Sequence, residues 1–437
     1  MKMPTNVLTI QIHWGALLAL LFLIRPLAAE EAAQPDEVAV AEDFLAHEWG
    51  TLTTLHWPTG RQVPWYQPNS GGVSELPSFM YPRFTLFRKG MMRTTARMET
   101  PVIYFYCDSP RKIDVSVNYV DGSITEYFPG SGKTAGTWEQ LELIPPSLAG
   151  DAEALLPFDT ARPNNHYYQA RAVPEAAFVR RTIPKDGGKS RLIDEVEKFV
   201  FYRGAGSFAS GLIPSMDLGT SEIAVLNHQA DYGFEHLWVL QSSADSVRWK
   251  KLSAIPAWDG KMGNTPIKVP FAVLDPGDTR EESIAGLTAS MVAALTEAGL
   301  THAEAAAMVA TWDEQWYEEP GQRVFSILPQ KMIEVMLPLT ISPKPVKTVR
   351  VFVHRAEVLS PETLQTLEMS MAPETDPDQA TSLIMGAQLG RFIHGTLEGV
   401  AQDVGNRTAG EYGLRGIMAL QRATALTSAE VPPVGSE

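Results

Sequence analysis

The sequence predicts an α+β protein, with an antiparallel β-sandwich over residues 44–275 and a smaller α+β region over residues 276–402. Two observations lead to this prediction. Up to about residue 275, short β-rich segments are separated by Gly, Pro, Asn and Asp without a helical period between them, which is typical of antiparallel sheets. Beyond that residue, helical segments with capping signals alternate with further strand-like runs.

The clearest strand signal in the N-terminal region is a β-hairpin. Residues 112–120 alternate in polarity, Asp121 and Gly122 fit a two-residue type I′ turn, and residues 123–129 return. β-Branched and aromatic content predicts further strands at 101–107, 137–144, 167–173, 197–203, 221–227, 236–242, 247–252 and 267–274.

The C-terminal region is predicted to begin with a helical hairpin over residues 279–318. Asp278 with Glu281, and Thr301 with Glu304, have the spacing of capping boxes, and a glycine separates the two helices. These signals are typical of two short antiparallel helices joined by a tight loop.

Strands and helices alternate after this hairpin. Ser360 and Asp376 are each followed by a proline, which predicts the first turn of a helix, and the second of these helices should end near Gln402. Residues 403–437 lose periodicity, so we expect a mobile tail there. Strand-like runs are found at 323–328, 333–341 and 348–359.

The composition is that of a folded, acidic protein. Of 437 residues, 44% are hydrophobic and 20% are charged, which is enough for a buried core and unlike intrinsic disorder. The net charge of −15 disfavours nucleic acid as a partner. The single cysteine, Cys107, excludes an intrachain disulfide and a cysteine-based zinc site. We expect no cofactor.

The N-terminus has the three regions of a secretory signal peptide. Lys2 supplies the positive start, residues 16–24 are apolar, and small residues end the segment at Ala29. We therefore expect removal of residues 1–29 on export, an acidic lead-in over residues 30–43, and a periplasmic or extracellular protein without a stable membrane span. The alternative is an uncleaved N-terminal segment that anchors the protein in the membrane.

A carboxylate in the predicted hairpin is the first candidate functional residue. In a two-residue hairpin Glu126 lies on the apolar face, so it should be buried and paired with a cation. Arg97 and Arg203, beside apolar strands, are the expected partners in a structural ion network. The alternative is a pair of carboxylates in a cleft that hydrolyses a sugar polymer, with Glu48, Glu99 and Glu126 as catalytic candidates.

Aromatic residues interleaved with prolines within residues 56–84 are a candidate binding surface, although we favour their burial. If exposed, Trp57, Trp65, Tyr66 and Tyr81 would form a stacking platform for a sugar or a peptide. If buried, the same side chains would fill one end of the sandwich.

The closest grouping of metal-ligating residue types is His228, Asp231 and His236. Asp231 fits the turn of a hairpin that would bring the two histidines together, and two histidines with an aspartate can hold a divalent metal. The alternative, which we favour, is a pair of histidines at the solvent-exposed end of a hairpin, without a bound metal.

Five motifs resemble those of an uncharacterised family of exported bacterial proteins. The resemblance covers about residues 44–400 and implies common ancestry and export. That family has no known activity, so the resemblance implies no catalytic residues. The motifs are HEWGT at 47–51, RMETPVIYFY at 97–106, ITEYFP at 124–129, FYRGAG at 201–206 and WYEE at 316–319.

The lack of a complete catalytic signature favours a non-catalytic function. GSGKT at 130–134 lacks the first glycine of a phosphate-binding loop and precedes a strand instead of a helix. The sequence also contains no nucleophile elbow. We therefore predict a binding or structural protein of the cell envelope, with a glycan or a peptide as partner. A carboxylate-dependent hydrolase of a polysaccharide or cell-wall substrate is the first alternative, and a metal-binding accessory protein is the second.

Overall fold

The computed structural model describes residues 40–66, 75–82, 93–132, 134–184, 192–208, 211–217, 219–261, 265–372, 374–387, 389 and 392–407. All of them belong to one compact unit. The predicted signal peptide, most of the predicted acidic lead-in and most of the predicted tail lie outside the described residues.

A nine-stranded sheet organises the fold. In spatial order its strands are β15 (Val247–Leu252), β14 (Leu237–Ser242), β17 (Gly321–Ile327), β19 (Lys344–Val358), β1 (Val40–His56), β5 (Ala96–Tyr106), β11 (Val200–Gly206), β7 (Gly122–Phe128) and β3 (Tyr81–Pro82). The long central strands β1 and β19 pair in parallel, whereas all other neighbours in this sheet are antiparallel. The prediction of purely antiparallel sheets is therefore wrong at the centre, because distant segments of the chain can pair in either direction.

Smaller sheets supply the other strands. A five-stranded sheet has the order β10 (Leu192–Glu197), β9 (Phe178–Pro184), β8 (Thr137–Ile144), β6 (Arg111–Val117) and β18 (Leu339–Ser342). A three-stranded sheet has the order β12 (Leu212–Ser215), β13 (Glu222–Asn227) and β16 (Ile267–Pro270), and β2 (Trp65–Tyr66) pairs with β4 (Arg93–Thr94). The main hydrophobic core contains side chains from the nine-, five- and three-stranded sheets, among them Met98, Trp138 and Val225.

Two helices contribute to a second core on the opposite face of the nine-stranded sheet. They are α1 (Arg280–Glu297) and α2 (His302–Asp313), and this core includes Met291, Trp312 and, from the sheet, Trp49. The predicted capping box of α2, Thr301 with Glu304, is confirmed. That of α1 lies one residue later than predicted, at Thr279 and Glu282.

The remaining helices are α3 (Gln330–Met336), α4 (Pro361–Ser370), α5 (Pro377–Gly386) and α6 (Ile393–Arg407). Ser360 and Asp376 cap α4 and α5 as the sequence predicts, but α5 and α6 replace a single predicted helix. Buried residues of α4, α5 and α6 form a third core with Trp57. None of the described helices is both long and apolar enough to cross a membrane.

One predicted strand is helical instead, and another is partly helical. The segment predicted as a strand at 167–173 is the 3₁₀ helix His166–Arg171, and the run at 333–341 is divided between α3 and β18. Both runs are short and apolar, and the periodicity of such runs does not distinguish a strand from a buried helical turn.

The predicted hairpin at Asp121 and Gly122 is absent. β6 pairs with β8 and β18, whereas β7 pairs with β11 and β3, so the chain passes from one sheet to another at this turn. A Cβ on Gly122 would lie 2.5 Å from the carbonyl oxygen of Ala205. Glycine is therefore required here by the close approach of β7 and β11.

The predicted boundary between residues 275 and 276 does not separate two sheets. β17 and β19 follow this position in the chain, yet they lie between β14 and β1 of the nine-stranded sheet. The N-terminal and C-terminal segments therefore share their central sheet.

Candidate functional site

Four arginines lie on the face of the nine-stranded sheet that points away from the main core. Arg203, Arg323 and Arg355 are at most 1% exposed, and the side chain of Arg97 is 24% exposed. Neighbours of these arginines in the strands, such as Met98, belong to the main core, and alternate residues of a strand point to opposite faces. We call these four arginines, together with the carboxylates around them, the arginine cluster. Those carboxylates are Glu75, Glu99, Glu126, Glu319 and Glu357.

Irregularities in three neighbouring strands position the cluster. β1 shifts its register at Gly50, and β11 shifts its register beside Arg203. In β5, Thr100 has a φ of 45°, a left-handed conformation that is rare and strained for a β-branched residue. Bulges bend strands and redirect side chains, and they are common beside functional sites. The sheet is thus distorted where these charged side chains leave it.

Arg97 and Arg203 share one carboxylate. Arg203 Nη1 donates to Glu75 Oε1 at 2.8 Å, and Arg97 Nη2 lies 3.6 Å from the same oxygen. Arg97 Nε lies 3.8 Å from Glu99 Oε1, and Glu126 is opposite Arg203 in the register of β7 and β11. Burial, together with the charge of Arg203, lowers the pKa of Arg97. The two guanidinium groups therefore lie close enough to repel each other.

Arg323 and Arg355 form the other half of the cluster. Arg355 Nη2 donates to Glu319 Oε2 at 2.5 Å, and Arg355 Nε donates to Glu357 Oε1. The same Glu357 oxygen lies 3.0 Å from Arg323 Nε. Because adjacent strands are about 4.8 Å apart, the Cα atoms of Arg97 and Arg355, which flank Thr53 on either side, are about 10 Å apart. The two halves are therefore neighbours on one surface of the sheet.

Several buried polar atoms in this region have no hydrogen-bond partner within the described part of the chain. They include Nε and Nη2 of Arg203, Nη1 of Arg355 and the hydroxyl of Thr51, the register partner of Glu99. Burying a donor without a partner costs about 1–3 kcal/mol, so native proteins normally supply a water or a ligand. The cluster reaches solvent at Glu75, whose side chain is 53% exposed. The cluster therefore combines buried donors that lack a partner with an exposed carboxylate.

The sequence-predicted residues Arg97, Arg203, Glu99 and Glu126 do come together here. The expected geometry is wrong for Glu126, which is half-buried and accepts a hydrogen bond from the Thr125 hydroxyl. The carboxylate shared by both arginines is Glu75, which sequence reasoning missed because it lies in an irregular segment without periodicity. Charged residues inside otherwise apolar strands were the available signal for the second half of the cluster, at Arg323, Arg355 and Glu357.

Glu48, the third catalytic candidate, lies elsewhere. It is fully buried, with Arg350 Nε donating at 2.5 Å and the Tyr202 hydroxyl donating to its other oxygen. Its neighbour Ala46, which points to the same face, and Tyr202 both belong to the main core. Glu48 is therefore enclosed by protein, as a structural ion pair is.

The predicted aromatic platform does not form from Trp57 and Tyr81. Trp57 is buried in the third core, where it packs against Gly399 of α6. Tyr81 is half-buried, stacks on Tyr127 at a ring-centroid distance of 5.7 Å and donates to Glu195. Trp65 and Tyr66 form β2, and their side chains lie outside the described residues. The favoured interpretation, packing, therefore applies to Trp57 and Tyr81, the two residues whose side chains are described.

The predicted histidine hairpin is also absent, because β13 and β14 belong to different sheets. His228 Nε2 lies 3.4 Å from the Gln229 amide nitrogen, whereas His236 stacks on Trp238. Asp231 is exposed. Among the described residues, no three His, Cys, Asp or Glu side chains are grouped as metal ligands would be.

A second buried polar group lies on the main-core face. Thr54 Oγ1 is 2.9 Å from His56 Nε2 and 2.8 Å from His354 Nε2. Burial lowers the pKa of His56 to about 4 and, together with the charge of His56, lowers the pKa of His354 to about 3. Both imidazoles are therefore neutral at physiological pH, and neither is exposed to a ligand.

Comparisons with known proteins assign no family to this chain. No family model matches the sequence, and no curated protein matches it.

Proposed function

We propose that the protein is an exported, non-catalytic binding protein of the cell envelope, and that the arginine cluster binds its ligand, a glycan or a peptide. The same proposal includes a β-sandwich in which the smaller sheets cover one face of the nine-stranded sheet, and a helical hairpin formed by α1 and α2. The resemblance to exported bacterial proteins supports the compartment. Anchoring by an uncleaved N-terminal segment is the alternative.

The unpaired donors of Arg203 carry this proposal. Arg203 is 1% exposed and has two nitrogens without a partner among the described residues. Its third nitrogen, Nη1, is bonded to the exposed carboxylate of Glu75. The structural pair of Glu48 and Arg350 also leaves one guanidinium nitrogen without a partner among the described residues, but Arg203 has two, and its third nitrogen is bonded to an exposed carboxylate. A ligand with several oxygen atoms would satisfy the two nitrogens of Arg203.

All five motifs of the sequence resemblance contribute side chains to this region, which gives a second line of support. These motifs lie far apart in the sequence, and the folded chain brings them to one face of one sheet. The residues are Thr51 from HEWGT, Arg97 and Glu99 from RMETPVIYFY, Glu126 from ITEYFP, Arg203 from FYRGAG and Glu319 from WYEE.

A glycan and peptide array, probed with the protein and with an Arg97→Ala variant, tests the proposal. We expect array ligands whose binding weakens at least about tenfold in this variant, equal to about 1.4 kcal/mol. Arg180→Ala is the matched control, because Arg180 is 29% exposed and pairs with Glu142 on the five-stranded sheet. Binding that both variants leave unchanged would refute the assignment of the site.

The same array separates binding from hydrolysis. Glu99 and Glu126, two of the three catalytic candidates, lie in the cluster, whereas Glu48 is enclosed. Under the binding proposal, array glycans are recovered intact after incubation. Release of shortened glycans by the protein, abolished in Glu99→Gln or Glu126→Gln, would establish the hydrolase alternative instead.

A further inference from the structure

We propose that Arg203 and Arg97 form a binding site for the single carboxylate of an acidic sugar, and that Glu75 competes with this carboxylate for the two arginines in the free protein. This inference rests on the proposed function, because it identifies the chemical class of ligand that the arginine cluster takes.

The free edge of Arg203 fits a carboxylate. Nε and Nη2 lie on one edge of the planar guanidinium group, where their N–H bonds are parallel and can donate to both oxygens of a carboxylate. These are the two Arg203 nitrogens without a partner among the described residues, while Nη1 donates to Glu75. Arg203 therefore binds Glu75 end-on through Nη1, and a ligand carboxylate that displaces Glu75 can also bind the buried Nε and Nη2 edge.

The Glu75 side chain can be displaced from the two arginines by a ligand carboxylate. Its side chain is 53% exposed, and exposed ion pairs are weak. Its backbone is fixed, because Asn165 Nδ2 donates to the Glu75 carbonyl oxygen at 2.6 Å and Arg162 donates to that of Leu76. A rotation of the Glu75 side chain towards solvent thus uncovers both arginines without displacing the main chain.

The charges around the arginines select a monoanion. Arg97 and Arg203 are balanced by Glu99 and Glu126, and Glu75 adds one negative charge. A ligand carboxylate that replaces Glu75 leaves the net charge unchanged. A phosphate or sulfate dianion would add a further negative charge next to two carboxylates, which is unfavourable in a buried site.

The neighbouring groups favour a sugar as the carrier of this carboxylate. The oxygens of Glu99 and Glu126 accept hydrogen bonds, and the hydroxyl of Thr51, the register partner of Glu99, has no partner within the described ranges. Sugar hydroxyls both donate and accept, so a uronic acid satisfies the carboxylates and Thr51 together. A peptide carboxylate brings no comparable set of hydroxyls.

Isothermal titration calorimetry with sodium glucuronate tests the inference. Removing the competing charge with Glu75→Gln should strengthen glucuronate binding at least about tenfold over the unmodified protein. Glu142→Gln, which removes a carboxylate 41% exposed from an ion pair on another sheet, should leave it unchanged. Arg203→Lys, which removes the bidentate edge but keeps the charge, should weaken binding, and Arg97→Gln should weaken it as well.

Three probes separate the possible outcomes. Glucose, inorganic phosphate and N-acetylalanine should each bind Glu75→Gln at least tenfold more weakly than glucuronate does. Equal or weaker glucuronate binding in Glu75→Gln than in the unmodified protein would overturn the exchange. Phosphate or N-acetylalanine binding as tightly as glucuronate would overturn the choice of ligand. If array ligands depend on Arg97 while Glu75→Gln has no effect, this inference fails and the binding function stands.

Discussion

The ion pair between Glu48 and Arg350 joins the two central strands of the nine-stranded sheet. The two residues are register partners on the parallel strands β1 and β19, with side chains 0% and 2% exposed. Glu48→Gln keeps the size of the side chain but leaves the guanidinium of Arg350 without its counter-charge. Removing one partner of a buried pair costs about 3–5 kcal/mol, because the remaining charge stays desolvated. We expect this loss in the free energy of unfolding.

Urea denaturation followed by tryptophan fluorescence measures that free energy from the midpoint and slope of the transition. Glu142→Gln is the control, because its ion pair with Arg180 is partly exposed and should be worth less than about 1 kcal/mol. In an Arg350→Met background, Glu48→Gln should lower the free energy of unfolding by less, because no buried guanidinium is left without a counter-charge. If Glu48→Gln costs no more than the control, the ion pair does not stabilise the central strands as described.

Two further predictions concern stability. Because burial holds the folded-state pKa values of His56 and His354 below the ordinary 6.5, only the unfolded chain takes up their protons as the pH falls from about 6.5 towards 4. Urea denaturation should therefore give a free energy of unfolding that is lower at pH 4.5 than at pH 7 by about 2–3 kcal/mol for each histidine. His354→Gln should remove about half of this difference between the two pH values. An unchanged difference in His354→Gln would contradict the prediction. In α6, Gly399→Ala places a Cβ 2.4 Å from Trp57 and should lower the free energy of unfolding by about 1–3 kcal/mol. At the end of α5, Gly386→Ala places a Cβ with no atom within 4 Å and should not destabilise the protein. Equal melting temperatures for the two variants would count against close packing of α6.

The sequence shows the residue types of the candidate site but not their arrangement. Arg97, Arg203 and Glu99 stood out because they are charged residues beside apolar strands, and the structure brings them together. Glu75 carried no such signal, since its role comes from contacts with β5 and β11, far away in the chain. The prediction for Glu126 is wrong because the hairpin that would bury this side chain does not form.

Local signals of the sequence determined the ends of helices and the positions of many strands. Thr301, Ser360 and Asp376 cap helices through bonds to backbone groups two or three residues away, so their effect needs no tertiary contact. β8 and β15 match the predicted 137–144 and 247–252, since their composition already favours extended chain.

The tertiary structure alone decided which strands became neighbours. The parallel pairing of β1 with β19 and the separation of β6 from β7 depend on which arrangement buries most apolar surface over the whole chain. The convergence of the arginines follows from those pairings. Short-range patterns therefore determined secondary structure in this protein, and long-range burial determined its candidate site.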